Sequence, residues 1–540
     1  MAELSKATQK LIGQYTLWQQ SLKPKKDKTT IHVDEVALKV AAFYEQIRTI
    51  VDWKEEHLMR RSAIIRKLKR KFLDLELSDF SSGEEIADSL VFELIRGGHF
   101  PNDFIEEAKI IDVKKIIDKY VFILKNSPEN KKGKAGLQFY NWLIEIAACE
   151  IEETLSQSIR ENALIDYMFE QMKEKIKVGE AFFETGKLKK EEKDVQIYIA
   201  VQQSLLKLDN PIISYNLLKY KYPEWNNASE DLILKISQNI YKIWNKIEKD
   251  LAHPLAKKFY AICEKYDTPY LLLGDILSQG DVLETKKEIL FPARLEALVR
   301  SVYSKRLETL KERIWRAAIY STLSIFITKI LSLVLLEVLV SEMLTGHINF
   351  VILIADVLVP TILMFTFVAT IDPPSKKNLN LAIVETMKIA YENENIDIYE
   401  IRAPKKRGLL TRIIISFFYT LGTFASFGLI YWIFNFFGFP ITSILINIIF
   451  IALIVFAGMA VRKRAQELKI EDDSENFLSF VSDILFLPVA GMGRWMSNKW
   501  KKYNALAAFF NALIDMPFSV FVEFIERWRY FIKEKKEEIR

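Results

Sequence analysis

Two patterns of apolar positions divide the chain. Up to about residue 313, apolar side chains recur at steps of three and four, as in Val36, Val40, Phe43, Ile47 and Ile50, which is the spacing of amphipathic helices. From 314 to 461 the apolar runs are nearly unbroken. A bilayer core of roughly 30 Å takes about 20 apolar residues as a helix. Segments 317–341, 349–371, 410–434 and 439–461 have that length. The expected fold class is all-α: a cytosolic helical region over 1–313, a transmembrane hairpin over 314–371, a cytosolic loop over 372–408, a second hairpin over 409–461, and interfacial amphipathic helices over 462–540. The turns Thr345-Gly346 and Asn435 to Gly438 suit tight connections within the two hairpins.

In the first region, helices are expected over 1–21, from near Asp34, and over 84–96, 103–125, 135–178, 190–208, 229–265 and 282–313. Ser81-Ser82-Gly83-Glu84-Glu85 and Asn227-Ala228-Ser229-Glu230-Asp231 place hydroxyls and carboxylates at helix entrances, where they satisfy free amides and oppose the dipole. Breaks are expected at Gly97-Gly98, Ser127-Pro128, Asn210-Pro211, Tyr222-Pro223 and His253-Pro254. No alternating run suggests a sheet, and only 396–401 reads as a brief extended piece. No repeat of fixed period is present. The helix over 282–313 meets the first span without a breaker, so one continuous helix is expected there.

Cation placement sets the orientation. Lys305, Arg306, Lys311, Arg313 and Arg316 precede the first span, and the loop after it has no Lys or Arg. Lys376, Lys377, Lys388, Arg402, Lys405, Lys406 and Arg407 follow the second span, and Arg462, Lys463 and Arg464 follow the fourth. The alternation predicts both termini on the cytosolic side of the cell membrane. The stretch MAELSKATQKLIGQYTLW lacks the apolar core of a secretory signal, so the first span is expected to direct its own insertion. Beyond residue 475, 477–489 is too short to span. Residues 505–525 carry Asn511, Asp515, Pro517 and Glu523. Arg494, Trp495, Lys499, Trp500, Lys501 and Lys502 lie between these segments and Trp528 lies after them. Trp beside Lys is the composition of an interfacial or re-entrant anchor.

The net charge of +5 over 540 residues argues against a dedicated nucleic-acid partner. The two cysteines, Cys149 and Cys263, fall in apolar helical patterns and read as core residues in a reducing compartment. The five histidines show no metal-ligand spacing, and there is no P-loop or hydrolase elbow. No catalytic residue, cofactor or metal is expected. The run Arg60 to Phe72 is the densest in cations and reads as a solvated basic face, with anionic lipid or nucleic acid as the functional alternative.

The most informative positions are ionisable residues inside the spans: Lys329, Glu337 and Asp356. At 1.5 Å per residue, Asp356 lies roughly 10 Å and Glu337 roughly 6 Å from the outer ends of their helices, so the stem of Lys329 can reach Asp356. Such charges mark either an ion or proton pathway or a buried pair that fixes helix orientation. Pro360 is a point where the second span can break. Gly422 and Ser426 form a small-xxx-small packing signal, and Gly428 permits a further close approach. The loop 372–408 is long enough to dock on the first region. The leading functional expectation is a non-enzymatic membrane scaffold or adaptor with a protein partner on its helical region. The alternative is a transporter or channel using Lys329, Glu337 and Asp356, and a membrane enzyme acting on lipid stands third.

Overall fold

The computed structural model describes residues 2–22, 29–33, 60–69, 83–96, 99–128, 134–156, 158–186, 188–334, 350–371, 374–391, 397–402, 408–470 and 477–503, with positions 524, 528, 531 and 532. The described residues are almost entirely helical, as the periodicity predicts, with one two-stranded sheet. They divide into two compact units. One comprises Ala7–Asp267, Asn395–Ile401 and Leu506–Arg540; the other comprises Met1–Lys6, Thr268–Glu394 and Arg402–Ala505. The division thus falls at 267/268, within the stretch 1–313 that the sequence groups as one helical region.

The N-terminal unit contains α1 (Lys6–Ser21), α2 (Gly83–Arg96), α3 (Ala108–Asn126), α4 (Lys134–Leu155), α5 (Ile159–Lys175), β1 (Ile176–Val178), α6 (Ala181–Glu184), α7 (Lys190–Leu205), α8 (Asn210–Lys221), α9 (Glu230–Leu251) and α10 (Ala256–Lys265). Its core runs through α2, α3, α4, α8 and α9, where Phe139, Trp142, Tyr241 and Trp244 form an aromatic cluster. The expected helix 135–178 is two helices followed by a strand. Ser158 takes the cap position of α5, as a short hydroxyl residue prefers a helix end to a helix interior. The expected helix 229–265 divides at His253-Pro254, because proline has no amide to continue the ladder. There His253 Nδ1 accepts from the Leu255 amide at 3.2 Å.

The C-terminal unit contains α11 (Thr268–Ser278), α12 (Val282–Ile289), α13 (Pro292–Ser332), α14 (Phe350–Ala369), α15 (Lys376–Ala390), α16 (Leu409–Phe436), α17 (Ile441–Ala465) and α18 (Phe477–Tyr503). The expected helix 282–313 is split at Phe291, where Pro292 starts α13 with its fixed φ. From there α13 continues as expected into the apolar region, 41 residues and roughly 60 Å in length. α11 has no periodic stripe to reveal it, since nearly all of its residues are buried. The other small element is a strand. Residues Tyr399–Ile401 form β2, which pairs in parallel with β1 in the register Ile176 to Tyr399, Lys177 to Glu400 and Val178 to Ile401. Tyr399 also stacks on Tyr266, with ring centroids 4.2 Å apart. The segment Asn395–Ile401, between α15 and α16, therefore belongs to the N-terminal unit.

Four helices are long and apolar enough to cross a membrane: α13, α14, α16 and α17. α13 packs on α14, α14 on α17, and α18 lies along both α16 and α17. The last contact depends on missing side chains. A Cβ on Gly493 would sit 2.1 Å from the Ala452 carbonyl oxygen, and one on Gly422 would sit 2.8 Å from Ile484. Ser426, one turn after Gly422, donates to the carbonyl of Leu485 on α18 at 2.7 Å. The Gly422/Ser426 pair is thus an internal packing surface, while Gly428 meets no atom within 4 Å. Gly493→Ala should lower the thermal unfolding midpoint in detergent by several degrees, as overpacking costs about 1–3 kcal/mol. Gly491→Ala, whose new Cβ would meet only the Tyr419 hydroxyl at 3.8 Å, should not. Equal midpoints for the two variants would refute the close approach.

Candidate functional site

Three of the apolar helices carry polar groups to one point. Lys329 on α13 and Asp356 on α14 are both fully buried, with Lys329 Nζ 2.6 Å from Asp356 Oδ2. The other carboxylate oxygen accepts from Ser443 Oγ of α17 at 2.8 Å and from the side-chain amide of Asn447 on the same helix. Asn447 also donates to the Ser443 carbonyl at 3.0 Å, which ties its side chain to its own helix. Lys329 Nζ stands 5.0 Å from the centre of the Phe450 ring, so the ammonium meets a carboxylate on one side and a π face on another. Ser443, Asn447 and Phe450 follow one another at helical spacing along one side of α17.

α14 remains helical through Pro360. Proline has no N–H, and the carbonyl it would otherwise serve belongs to Asp356, one turn earlier. The expected meeting of Lys329 with Asp356 occurs. Glu337 lies outside the described residues. Ser443 and Asn447 are members of the site that charge counting misses, although their spacing of four in an otherwise apolar helix marks them.

The remaining sequence-predicted positions behave differently. Arg313, Arg316, Arg462, Lys463 and Arg464 are exposed. Lys405, Lys406 and Arg407 lie outside the described residues. On α18, Arg494 is exposed and Trp495 is 63 % exposed, and Trp528 is 55 % exposed. The side chains of Lys499, Trp500, Lys501 and Lys502 are outside the description.

The basic run is the clearest departure from expectation. None of residues 60–69 is fully exposed. Arg61 is buried and bonds Asp209, Arg60 lies 3.6 Å from Glu152, and Lys67 meets Glu93 at 2.8 Å. These cations face carboxylates inside the N-terminal unit, not solvent.

Three acids, Glu150, Glu152 and Glu153, lie near the end of α4. Glu150 accepts from Lys119 at 2.5 Å, Tyr120 at 2.9 Å and Trp225 Nε1 at 3.0 Å. Burial would push the Glu153 carboxyl up, but Lys219, Tyr215 and Asn162 hold it below the usual range. Glu152 has weaker partners. Burial pushes its carboxyl up to about 7 against the opposing pull of Arg61 and Arg60. Both cysteines are buried, and burial pushes each thiol up.

A second polar knot lies in the C-terminal unit. Buried Asn378 on α15 donates to Tyr303 Oη of α13 at 2.8 Å and to the Leu468 carbonyl at 2.7 Å, and accepts from the Ile470 amide at 2.7 Å. It joins the polar half of α13 to the chain leaving α17.

No protein-family model, curated protein or solved structure matches this chain.

Two measurements test these networks. Asp356→Asn and Lys329→Met should each destabilise by about 3–5 kcal/mol, because each removes one partner of a buried ion pair. The double variant should recover most of that loss in a thermal-unfolding cycle. Additive losses would mean the two charges do not stabilise each other. Glu152 gives a pH signature. Its folded-state value lies above the ordinary 4.5, so its contribution is present below about pH 4.5 and is lost as pH rises through 7. Glu152→Gln should therefore stabilise by about 1–3 kcal/mol at pH 8 and by little at pH 4.5. A variant no more stable than the parent at pH 8 would contradict this.

Proposed function

We propose that this protein is a membrane-anchored scaffold, not an enzyme, whose N-terminal helical unit recruits a protein partner. One observation carries the reading. The segment between α14 and α16 returns to the N-terminal unit as β2, so the chain passes between the units at 6/7, 267/268, 394/395, 401/402 and 505/506. A helical body tied repeatedly to a set of apolar helices suits holding that body at a bilayer. The charge pattern supports a multi-pass arrangement in the cell membrane with both termini cytosolic. The exposed Trp495 beside Arg494 supports a role for α18 at the bilayer interface, and its packing on α16 and α17 favours a re-entrant course.

Phe104, Ile111, Phe122 and Leu137 are exposed apolar side chains of the N-terminal unit. Ile111 and Phe122 are eleven residues apart on α3, three helical turns, and so share one face. Exposed aromatic and aliphatic groups on one face are the material of a partner surface.

The alternative is ion or proton movement through the Lys329–Asp356 site. The complete burial of both groups and the saturation of Oδ1 by Ser443 and Asn447 favour a structural pair.

A photo-activated cross-linker at position 111 or 122 of the full-length chain, in native membranes, should yield a discrete heteromeric adduct. The same group at exposed Lys235, on another helix, should not. Absence of that adduct, together with vesicle flux that Lys329→Met abolishes, would replace the scaffold reading with the transport one.

A further inference from the structure

The C-terminal unit contains a cavity of about 320 Å³ that the ion-pair site does not use. It is lined by α11, α13 and the two residues Glu467 and Leu468 beyond the end of α17. Its charged rim consists of Asp275, Lys305, Arg306, Arg313 and Glu467. Arg306 is already committed, since its guanidinium binds the Asp275 carboxylate through both Nε and Nη2. Lys305 and Arg313 are different. Both are exposed, and neither side chain has a hydrogen bond or ion pair among the described residues. Glu467 is the remaining acid, so the unspent charge of the rim is positive. Ser278, Gln279 and Thr309 add uncharged polar groups.

The position of the cavity along α13 identifies the ligand class. From Lys305 to Arg313 most exposed residues of this helix are charged, including Lys305, Glu308, Lys311 and Glu312. After Arg316 the large exposed side chains are apolar, including Ile319, Tyr320, Leu323 and Ile327. Arg313, on the rim, stands at the changeover. Glu467 and Leu468 follow directly on the basic end of α17, where Arg462, Lys463 and Arg464 are exposed. The cavity thus lies where the apolar part of one helix begins and another apolar helix ends, with Lys305 and Arg313 among its lining residues. The wall is held in place by Asn378, which bonds the Leu468 carbonyl, and by Thr268 Oγ1, which donates to the Glu467 carbonyl at 3.3 Å.

We propose that this cavity binds the phosphate of an anionic phospholipid headgroup, with Lys305 and Arg313 as its cationic ligands. The proposal rests on the membrane reading given above. Cations at the interface attract anionic lipid even without a site, and a built cavity adds position to that attraction.

The full-length protein in a neutral detergent, titrated with phosphatidylglycerol and observed by native mass spectrometry, tests it. One lipid is expected to remain bound under conditions that strip phosphatidylcholine. Lys305→Ala with Arg313→Ala should weaken that binding about tenfold or more. Lys311→Ala with Arg316→Ala removes the same charge from exposed positions of α13 that do not line the cavity, and should leave it intact. Equal losses in the two double variants would overturn the site in favour of diffuse attraction. Displacement by inorganic phosphate would overturn the lipid assignment in favour of a soluble phosphate ligand, and absence of any retained lipid would overturn both. Carbonate extraction of membranes separates the two readings. A chain that extracts into the soluble fraction fails the membrane reading. A chain that stays in the pellet but binds no lipid through Lys305 and Arg313 fails only the cavity proposal.

Discussion

A lysine and an aspartate sealed from solvent between apolar helices set the terms for the C-terminal unit. Apolar helix faces specify their mutual register poorly, because in a bilayer the lipid is as apolar as a leucine and no hydrophobic gain favours one rotation over another. A buried ion pair removes that freedom. Lys329 must reach Asp356, and Asp356 must also reach Ser443 and Asn447, so α13, α14 and α17 are fixed in depth and rotation at once. Each additional donor offsets part of the desolvation that the carboxylate suffers. The Phe450 ring lies 5.0 Å from the ammonium and adds a cation–π contact. Pro360 adds a constraint, because the turn in which it lacks an amide is the turn that carries Asp356.

The same helix carries that constraint to the polar end of the unit. α13 has no break between Pro292 and Ser332, so the position of Lys329 determines where Tyr303, Arg306 and Arg313 lie. Asn378 then locks Tyr303 to the chain leaving α17. α13 and α17 are therefore joined twice, by the aspartate bridge at one level and by an asparagine at another. A rigid helix pinned at two levels holds the cavity wall between α11, α13 and Glu467 in fixed geometry. The polar half of α13 belongs to the apolar unit for that reason, and the unit boundary falls before α11.

Much of this was legible in the sequence, and the failures have physical causes. Long apolar runs identified α14, α16 and α17 within a few residues, because span length is dictated by bilayer thickness and not by context. The absence of a breaker before residue 317 predicted the continuity of α13. Asp356 and Lys329 were legible as partners from helix rise alone. Their neutral neighbours Ser443 and Asn447 escape a count of charges, and only their spacing of four in an otherwise apolar helix marks them. Counting charge misread residues 60–69, because composition gives the number of cations and not the carboxylates that face them. Glu93, Glu152 and Asp209 come from three distant stretches of sequence, and only the packing of the N-terminal unit brings them to Lys67, Arg60 and Arg61. α11 escaped because a helix buried on all sides has no periodicity to detect.

The short sheet shows what local pattern cannot encode. A three-residue strand has almost no intrinsic stability, and β1 reads as the frayed end of α5 until β2 lies beside it. Parallel pairing requires a long crossover, and here the crossover contains α6 to α15. The loop entropy of joining residues so far apart grows only slowly with length, so the cost is tolerable once other contacts fix the ends. The order of synthesis adds a consequence. β1 is made before any of the apolar helices, whereas β2 follows two of them, so the N-terminal unit has no partner for β1 until α13 and α14 have been made. Completion of the helical unit is thereby linked to production of the first apolar pair.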